Sequence, residues 1–224
     1  LVLNAALGNS FTGTNTLQLG KLQLGAAAPQ NAIFYKFSTP PSFVATTPGA
    51  SPDAFVLNGG TFDLNGHSQI LGDFLSRAAL PGAGSIVTNG ATGSAVDLTI
   101  ASGAARDFAG SINGNLNVRK SGATTLSLRS DNAFTGNLTV MGNLVSLIDQ
   151  GKLSGMGSGS TISLQGGVLR WDDTGTQSLA ARISGAVAFQ MDGGAFDFLS
   201  RNGTATTATL GNLSLVGGSN VIRG

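Results

Sequence analysis

The chain has 224 residues, of which 41% are hydrophobic and 10% charged, with a net charge of +1 and no cysteine. This composition supports a buried core, but it excludes disulfides, thiolate catalysis and zinc-thiolate sites. It also argues against a nucleic-acid partner, because DNA and RNA binding need a concentrated basic surface. All eleven acidic residues are Asp and 34 residues are Gly, so good helix formers are scarce and an all-β protein is expected.

The chain begins with Leu1-Val2-Leu3, which already has the character of a strand. It has no initiator Met and no charged segment followed by the apolar core of a signal peptide. No apolar run approaches the roughly 18 residues of a membrane-spanning helix. We therefore expect a mature product or an excised fragment, with no membrane span in this chain.

Two segments nearly repeat each other: NSFTGTNTLQLGKLQL at 9–24 and DNAFTGNLTVMGNLVSL at 131–147. Each has an F-T-G sequence, a short alternation of apolar and polar residues, a glycine and a second alternation. The alternation predicts that Leu138 and Val140 point inward, because successive side chains of a strand lie on opposite faces. Gly136 and Gly142 are predicted to turn corners with a positive φ, which costs little without a Cβ.

A second repeat reads apolar-x-G-G-x-apolar-x-apolar. Its copies are LNGGTFDL (57–64), LQGGVLRW (164–171), MDGGAFDF (191–198) and the degenerate LVGGSNVI (215–222). The alignment predicts that Trp171 lies in the core with Leu64 and Phe198. The outward positions are then Asp63, Arg170 and Asp197. If the second and third copies are consecutive, Arg170 and Asp197 stack directly on each other.

Repeats of this length, each with short strands and glycine turns, are typical of the coils of a β-solenoid. One coil cannot bury its own apolar face, whereas stacked coils form a continuous core. At about 20–27 residues per coil, the chain would make roughly eight to ten coils and a rod on the order of 40–50 Å long. A β-sandwich is the alternative, since it also has short strands at regular spacing. We expect residues 1–224 to form a single domain.

Residues 26–53 interrupt the pattern with five of the six prolines. Proline cannot donate a hydrogen bond to a strand ladder, so this Pro-rich segment is predicted to be an excursion from the coils. It also contains four of the fourteen aromatic residues: Phe34, Tyr35, Phe37 and Phe43. These rings either pack back on the rod and extend its core or form an exposed interface for a partner or a neighbouring copy.

The segment FAGSINGNLNVRKSGATTLSLRSDNAFTGNLTVMGNL at 108–144 resembles the autotransporter-associated β-strand repeat, also called the passenger-associated transport repeat. The matching positions are Phe108, Gly110, Ile112, Leu116, Lys120, Gly122, Leu126, Leu128, Asn132, Phe134, Gly136, Val140, Gly142 and Leu144. The resemblance implies a right-handed parallel β-helix in a secreted or surface-exposed bacterial protein. The expected location is therefore extracellular or on the bacterial cell surface.

Some parallel β-helices degrade polysaccharides, which raises the question of catalytic residues. Asp172 and Asp173 follow Trp171 and would suit a sugar-stacking subsite, but the inward position of Trp171 favours a core ring with the Asp pair in a turn. The single histidine, His67, lies in a turn-forming sequence without a partner. We therefore predict no catalytic residue, no cofactor, no metal and no enzymatic activity.

The leading hypothesis is a structural or adhesive module of a bacterial surface or secreted protein. Both ends of a solenoid expose unpaired strand edges. Copies are therefore expected to assemble head-to-tail into fibres. In the alternative, adjoining coils of a longer chain cover the ends. The alternative is a polysaccharide-binding or polysaccharide-degrading β-helix protein. A cell-surface glycan is then the partner. Arg119, Lys120 and Arg129 could offer it a weak basic patch, but we expect them to form an ordinary solvated face.

Overall fold

The computed structural model describes residues 1–4, 14–28, 30, 54–77 and 84–224. Within these ranges the protein is all-β, with 21 short strands and no helix, as its composition predicts. Every pairing between two strands is parallel. In particular, the described residues include no helix with the length and hydrophobicity needed to cross a membrane.

The strands form four sheets, and in each sheet hydrogen bonds join every strand to the next one in order. Sheet A contains β1 (Val2–Leu3), β3 (Lys21–Leu24), β5 (Thr61–Asp63), β8 (Ile86–Asn89) and β11 (Ser111–Gly114). Sheet B contains β20 (Leu213–Gly217), β18 (Ala188–Asp192), β16 (Thr161–Gln165), β14 (Leu138–Val140), β12 (Leu116–Ser121), β9 (Val96–Ala101) and β6 (Gln69–Leu71). Sheet C contains β10 (Arg106–Phe108), β13 (Leu126–Leu128), β15 (Leu144–Leu147), β17 (Val168–Asp172), β19 (Ala195–Leu199) and β21 (Val221–Arg223). Sheet D contains β2 (Asn15–Leu17), β4 (Ala54–Leu57) and β7 (Asp73–Leu75).

Consecutive strands belong to different sheets, and each strand pairs only with strands that are not its neighbours in the chain. For example, β14 pairs with β16 and β15 pairs with β17, so the chain passes through sheets B and C repeatedly. The backbone N–H of Ser76 donates to Asp107 O at 2.9 Å, which joins sheet D to sheet C. This arrangement is compatible with a β-helix. It does not fit the β-sandwich alternative, whose sheets are antiparallel.

One hydrophobic core runs through the described strands, from Leu3 to Phe196. The inward positions predicted by the alternation are confirmed: Leu138 and Val140 are fully buried. Their register partners in β16, Ile162 and Leu164, are fully buried as well. Stacking in register therefore places apolar side chains from successive strands in contact.

Gly136 and Gly142 lie between strands, as predicted, but not in the predicted backbone conformation. Neither Gly136 nor Gly142 has a positive φ; the left-handed conformation lies at the neighbouring Asn143, with a φ of 49°. Both glycines are required by close approach instead. A Cβ at Gly136 would lie 2.4 Å from Leu116 O, and one at Gly142 would lie 2.9 Å from Gly122 O. The backbones of successive corners pack too closely for a side chain.

The two sequence repeats do not mark the same corner throughout. The Gly-Gly pairs of the last three copies join sheet B to sheet C, whereas 59–60 joins β4 of sheet D to β5 of sheet A. The segments around β2–β3 and β14–β15 differ in the same way, and residues 9–13 lie outside the described ranges. The inward positions that the alignment assigns to the first copy are confirmed, because Phe62 and Leu64 are fully buried, but the outward position expected for Asp63 is wrong, since it is only 1% exposed. The motif therefore indicates a tight corner whichever sheets meet there.

Candidate functional site

The predicted aromatic interface is formed by Phe34, Tyr35, Phe37 and Phe43. All four residues lie outside the described ranges, as does most of the Pro-rich segment 26–53. The interface therefore stays a prediction, and the described candidate sites lie elsewhere in the chain.

Trp171 does not form a sugar-stacking subsite, because it is only 1% exposed. Its ring packs edge-on against Phe198, with centroids 5.7 Å apart, in the position that the repeat predicts. Asp172 ends β17 and its Oδ1 accepts hydrogen bonds from the backbone and hydroxyl of Thr174, as in a turn. Asp173 departs from the prediction: it is fully buried, and its Oδ2 accepts a hydrogen bond from Trp171 Nε1 at 3.2 Å.

The partner of Asp173 is Arg182, and both side chains are completely buried. Arg182 Nε donates to Asp173 Oδ1 at 2.8 Å. The rest of the guanidinium donates to three backbone carbonyls, those of Asp149, Gly151 and Gln177. Burial lowers the pKa of Arg182, and the charge of Asp173 counteracts this. A guanidinium stays protonated in proteins, so the pair is a buried ion pair that ties 173–182 to the corner after β15.

Arg119, Lys120 and Arg129 do not form a weak basic patch, and the solvated face expected for them is wrong for Lys120. Lys120 is fully buried, and its Nζ donates to Ser121 O at 2.5 Å and to Gly122 O at 3.3 Å. Burial lowers the pKa of Lys120. The other two side chains are neutralised by carboxylates: Arg119 pairs with Asp97 at 3.0 Å, and Arg129 pairs with Asp107 and Asp149 at 3.3 and 3.1 Å.

The sequence contained a signal for the position of Lys120. Leu116, Val118 and Lys120 alternate along β12, and the first two are buried. Lys120 continues this inward row between Ile100 and Val140 of the adjacent strands. Its charge suggested an outward side chain, but the corner carbonyls supply the hydrogen-bond acceptors that an inward ammonium group needs.

The predicted stacking of Arg170 on Asp197 is confirmed. The two residues are register partners in β17 and β19, with Arg170 Nη2 3.2 Å from Asp197 Oδ2. Arg223 of β21 continues the row and donates to Asp197 Oδ1 at 2.6 Å. Asp63 does not belong to this row: it lies in sheet A, is 1% exposed and pairs with Lys21 at 2.7 Å.

The Arg170–Asp197–Arg223 row should make the free energy of unfolding depend on pH in acid. Burial acts to raise the pKa of Asp197, but hydrogen bonds from Arg223 and Arg170 outweigh it and hold the pKa below its ordinary 3.8. The stabilisation of the folded state by ionised Asp197 is complete above about pH 3.8, and it is lost as the pH falls through the lowered pKa. We expect Asp197→Asn to cost about 1 kcal/mol at neutral pH. The difference from wild type should vanish in strong acid.

Urea unfolding at a series of pH values from neutral to strongly acidic checks this prediction. The matched control is Asp192→Asn, because Asp192 is an exposed residue at the end of β18. A difference between wild type and Asp197→Asn that stays constant in acid would contradict the pairing as a source of stability.

The described strands leave an apolar surface open at the end formed by β20 and β21. Within the described ranges, no strand pairs with the outer side of either one. Leu213 and Leu215 continue the inward rows of β18 but are 44% and 63% exposed. Ile222 continues the inward row of Phe196 and is 57% exposed. We call this surface, β20 and β21, the C-terminal edge.

The opposite end is formed by β1 and β2, and we call it the N-terminal edge. Leu1, Val2 and Leu19 are 81%, 56% and 85% exposed there. Both edges carry the apolar side chains and strand orientation of a sheet that can accept a further parallel strand. The composition and repeats predicted open ends; the structure identifies the side chains.

Among the residues described, no three His, Cys, Asp or Glu side chains come together to hold a metal ion. Comparison with known proteins gives no match: no family model, no curated protein and no solved structure corresponds to this chain. Any inference about function therefore rests on the geometry and chemistry of its own residues.

Proposed function

We propose that this chain is a right-handed parallel β-helix of roughly eight to ten coils. Its role is that of a structural or adhesive module in a secreted or surface-exposed bacterial protein, and copies stack head-to-tail. Three observations support the proposal: parallel pairing of all described strands, a continuous core along the stack, and apolar side chains at both edges. The resemblance of 108–144 to the autotransporter-associated repeat supports the extracellular bacterial location.

The main support for head-to-tail stacking of copies is the distribution of exposed apolar side chains. Ten large hydrophobic residues of the described ranges are exposed, and only Met141 and Leu199 lie away from the two edges. The other eight are Leu213, Leu215, Val216, Val221 and Ile222 at the C-terminal edge and Leu1, Val2 and Leu19 at the N-terminal edge. The exposed large apolar side chains of the described ranges are therefore concentrated at the two ends of the stack.

The partner that we propose for the C-terminal edge is a second copy of this chain. Its N-terminal edge would pair in parallel with β20 and β21 and extend the ladders without reversing strand direction. Side chains such as Leu215 and Ile222 would then become buried like their register partners Met191 and Phe196. Complete burial of each large aliphatic side chain contributes about 1.5–3 kcal/mol.

Electron microscopy and sedimentation of the purified chain over a concentration series test the proposal. Wild type is expected to form fibres with an axial repeat on the order of 40–50 Å. Leu215→Lys and Ile222→Lys should each abolish fibres, because they place a charge in the interface. Met141→Lys is the matched control, since Met141 is 39% exposed on the flank and its replacement should leave the fibres intact.

Two results would overturn the stacking. Discrete short particles at every concentration would mean that copies do not occupy the edges, and adjoining coils of a longer chain would take their place. Fibres that survive both edge substitutions but not Met141→Lys would move the interface to the flank.

A further inference from the structure

We infer that Asn202-Gly203 is a site of spontaneous chemical modification at which the chain converts its own asparagine to aspartate and isoaspartate. Asparagine followed by glycine is the sequence most prone to this reaction, because glycine has no side chain to hinder attack by its backbone nitrogen. The inference is independent of the proposed assembly. It depends on a comparison within one molecule, since the chain contains five Asn-Gly pairs in different environments.

Four of the pairs have an asparagine amide that is held by a hydrogen bond. These contacts are Arg77 N to Asn58 Oδ1 at 2.7 Å, Asn65 Nδ2 to Leu24 O at 2.8 Å, Gly66 N to Asn89 Oδ1 at 2.8 Å, Asn89 Nδ2 to Asn115 O at 2.8 Å, and Ala133 N to Asn113 Oδ1 at 3.1 Å. All of them join neighbouring turns of the chain across the stack. Each must break before the amide carbon can rotate toward the following nitrogen.

In three of these four pairs the attacking group is also engaged. The glycine N–H donates from Gly66 to Asn89 Oδ1 at 2.8 Å, from Gly90 to Asp63 Oδ1 at 2.8 Å, and from Gly114 to Ala133 O at 3.4 Å. Reaction at these sites therefore requires local opening of the structure, and the free energy of that opening slows it.

Asn202 has neither restraint. Asn202 and Gly203 are both exposed in a turn between β19 and β20. The turn is closed by Thr204 N donating to Arg201 O at 3.1 Å. Neither the Asn202 amide nor the Gly203 N–H makes a hydrogen bond with any residue that the structure describes. Gly203 has a φ of 76°, so the turn uses the backbone freedom of glycine.

The reaction needs only water. The Gly203 nitrogen forms a bond to Asn202 Cγ, the bond from Cγ to the amide nitrogen breaks, and ammonia leaves with the proton from Gly203. The resulting five-membered imide then adds water at one of its two carbonyls. Opening at one carbonyl gives aspartate, and opening at the other gives isoaspartate, in which the main chain passes through Cγ.

Peptide mapping by mass spectrometry after incubation of the native protein at mildly alkaline pH tests the inference. We expect the replacement of NH₂ by OH to appear at Asn202 at least about tenfold faster than at any of the other four Asn-Gly pairs. The same incubation in concentrated urea should bring the five rates together, since unfolding removes the hydrogen bonds that protect four of them. Gly203→Ala should slow the reaction at Asn202 and leave the other four rates unchanged.

The rates of asparagine conversion in the native and the unfolded protein can each contradict the inference. A native rate at Asn202 equal to that at buried Asn89, or lower, would overturn the inference. Native rates that already match the five unfolded rates would show that the hydrogen bonds give no protection, and would overturn it as well.

Discussion

Arg182→Met is expected to lower the free energy of unfolding by about 3–5 kcal/mol, because it leaves the Asp173 carboxylate buried without its charged partner. Both side chains of the pair are 0% exposed, and their Nε–Oδ1 distance is 2.8 Å. The substitution also leaves three backbone carbonyls without the guanidinium that donates to them. Met is similar in length, so the loss reports on charge and hydrogen bonds more than on volume.

Urea unfolding followed by tryptophan fluorescence measures this effect directly. Trp171 is the only tryptophan, and its Nε1 donates to Asp173 Oδ2. Lys152→Met is the matched control, because Lys152 and its partner Asp131 are 40% and 43% exposed and such a pair contributes about 0–1 kcal/mol. Equal losses for the two substitutions would refute the idea that Arg182 neutralises a buried charge.

Gly136→Ala is expected to destabilise the fold by about 1–3 kcal/mol, through overpacking between neighbouring corners. The added Cβ would lie 2.4 Å from Leu116 O and 2.5 Å from Asn117 Oδ1. The first of these is a backbone atom at the start of β12 and has little freedom to move. The second accepts a hydrogen bond from Asn137 N at 2.9 Å, so its displacement would also break a contact between the corners.

Gly159→Ala is the matched control for Gly136→Ala. A Cβ at Gly159 meets nothing within 4 Å, and its φ lies outside the left-handed region. Its replacement should change the free energy of unfolding by less than about 0.5 kcal/mol or raise it slightly, since alanine reduces the freedom of the unfolded chain. Thermal and urea unfolding of both variants measure the difference. A Gly136→Ala variant as stable as Gly159→Ala would show that the corners can separate without cost.

Two features could be predicted from local sequence patterns. One is which strand residues point inward, and the other is the register of β17 with β19. Alternation with a period of two places Leu138 and Val140 on one face in any strand. The Gly-Gly repeat aligned Trp171 with Phe198 and Arg170 with Asp197, since copies with the same pattern meet the same packing requirement in consecutive strands. The repeat could not show that 59–60 lies at another corner, because two glycines permit a tight turn between any two sheets.

The all-β class follows from composition alone, because good helix formers are scarce, and the alternation along each strand indicates which apolar residues point inward. The partners that neutralise the buried charges came from the three-dimensional fold. Lys120 and Arg182 are stabilised by carbonyls and a carboxylate that the fold places beside them, and no spacing in the sequence indicates those partners. The same reason separates Asn202 from the other four Asn-Gly pairs: their dipeptides are identical, and only the neighbouring turn of the chain holds or releases the amide.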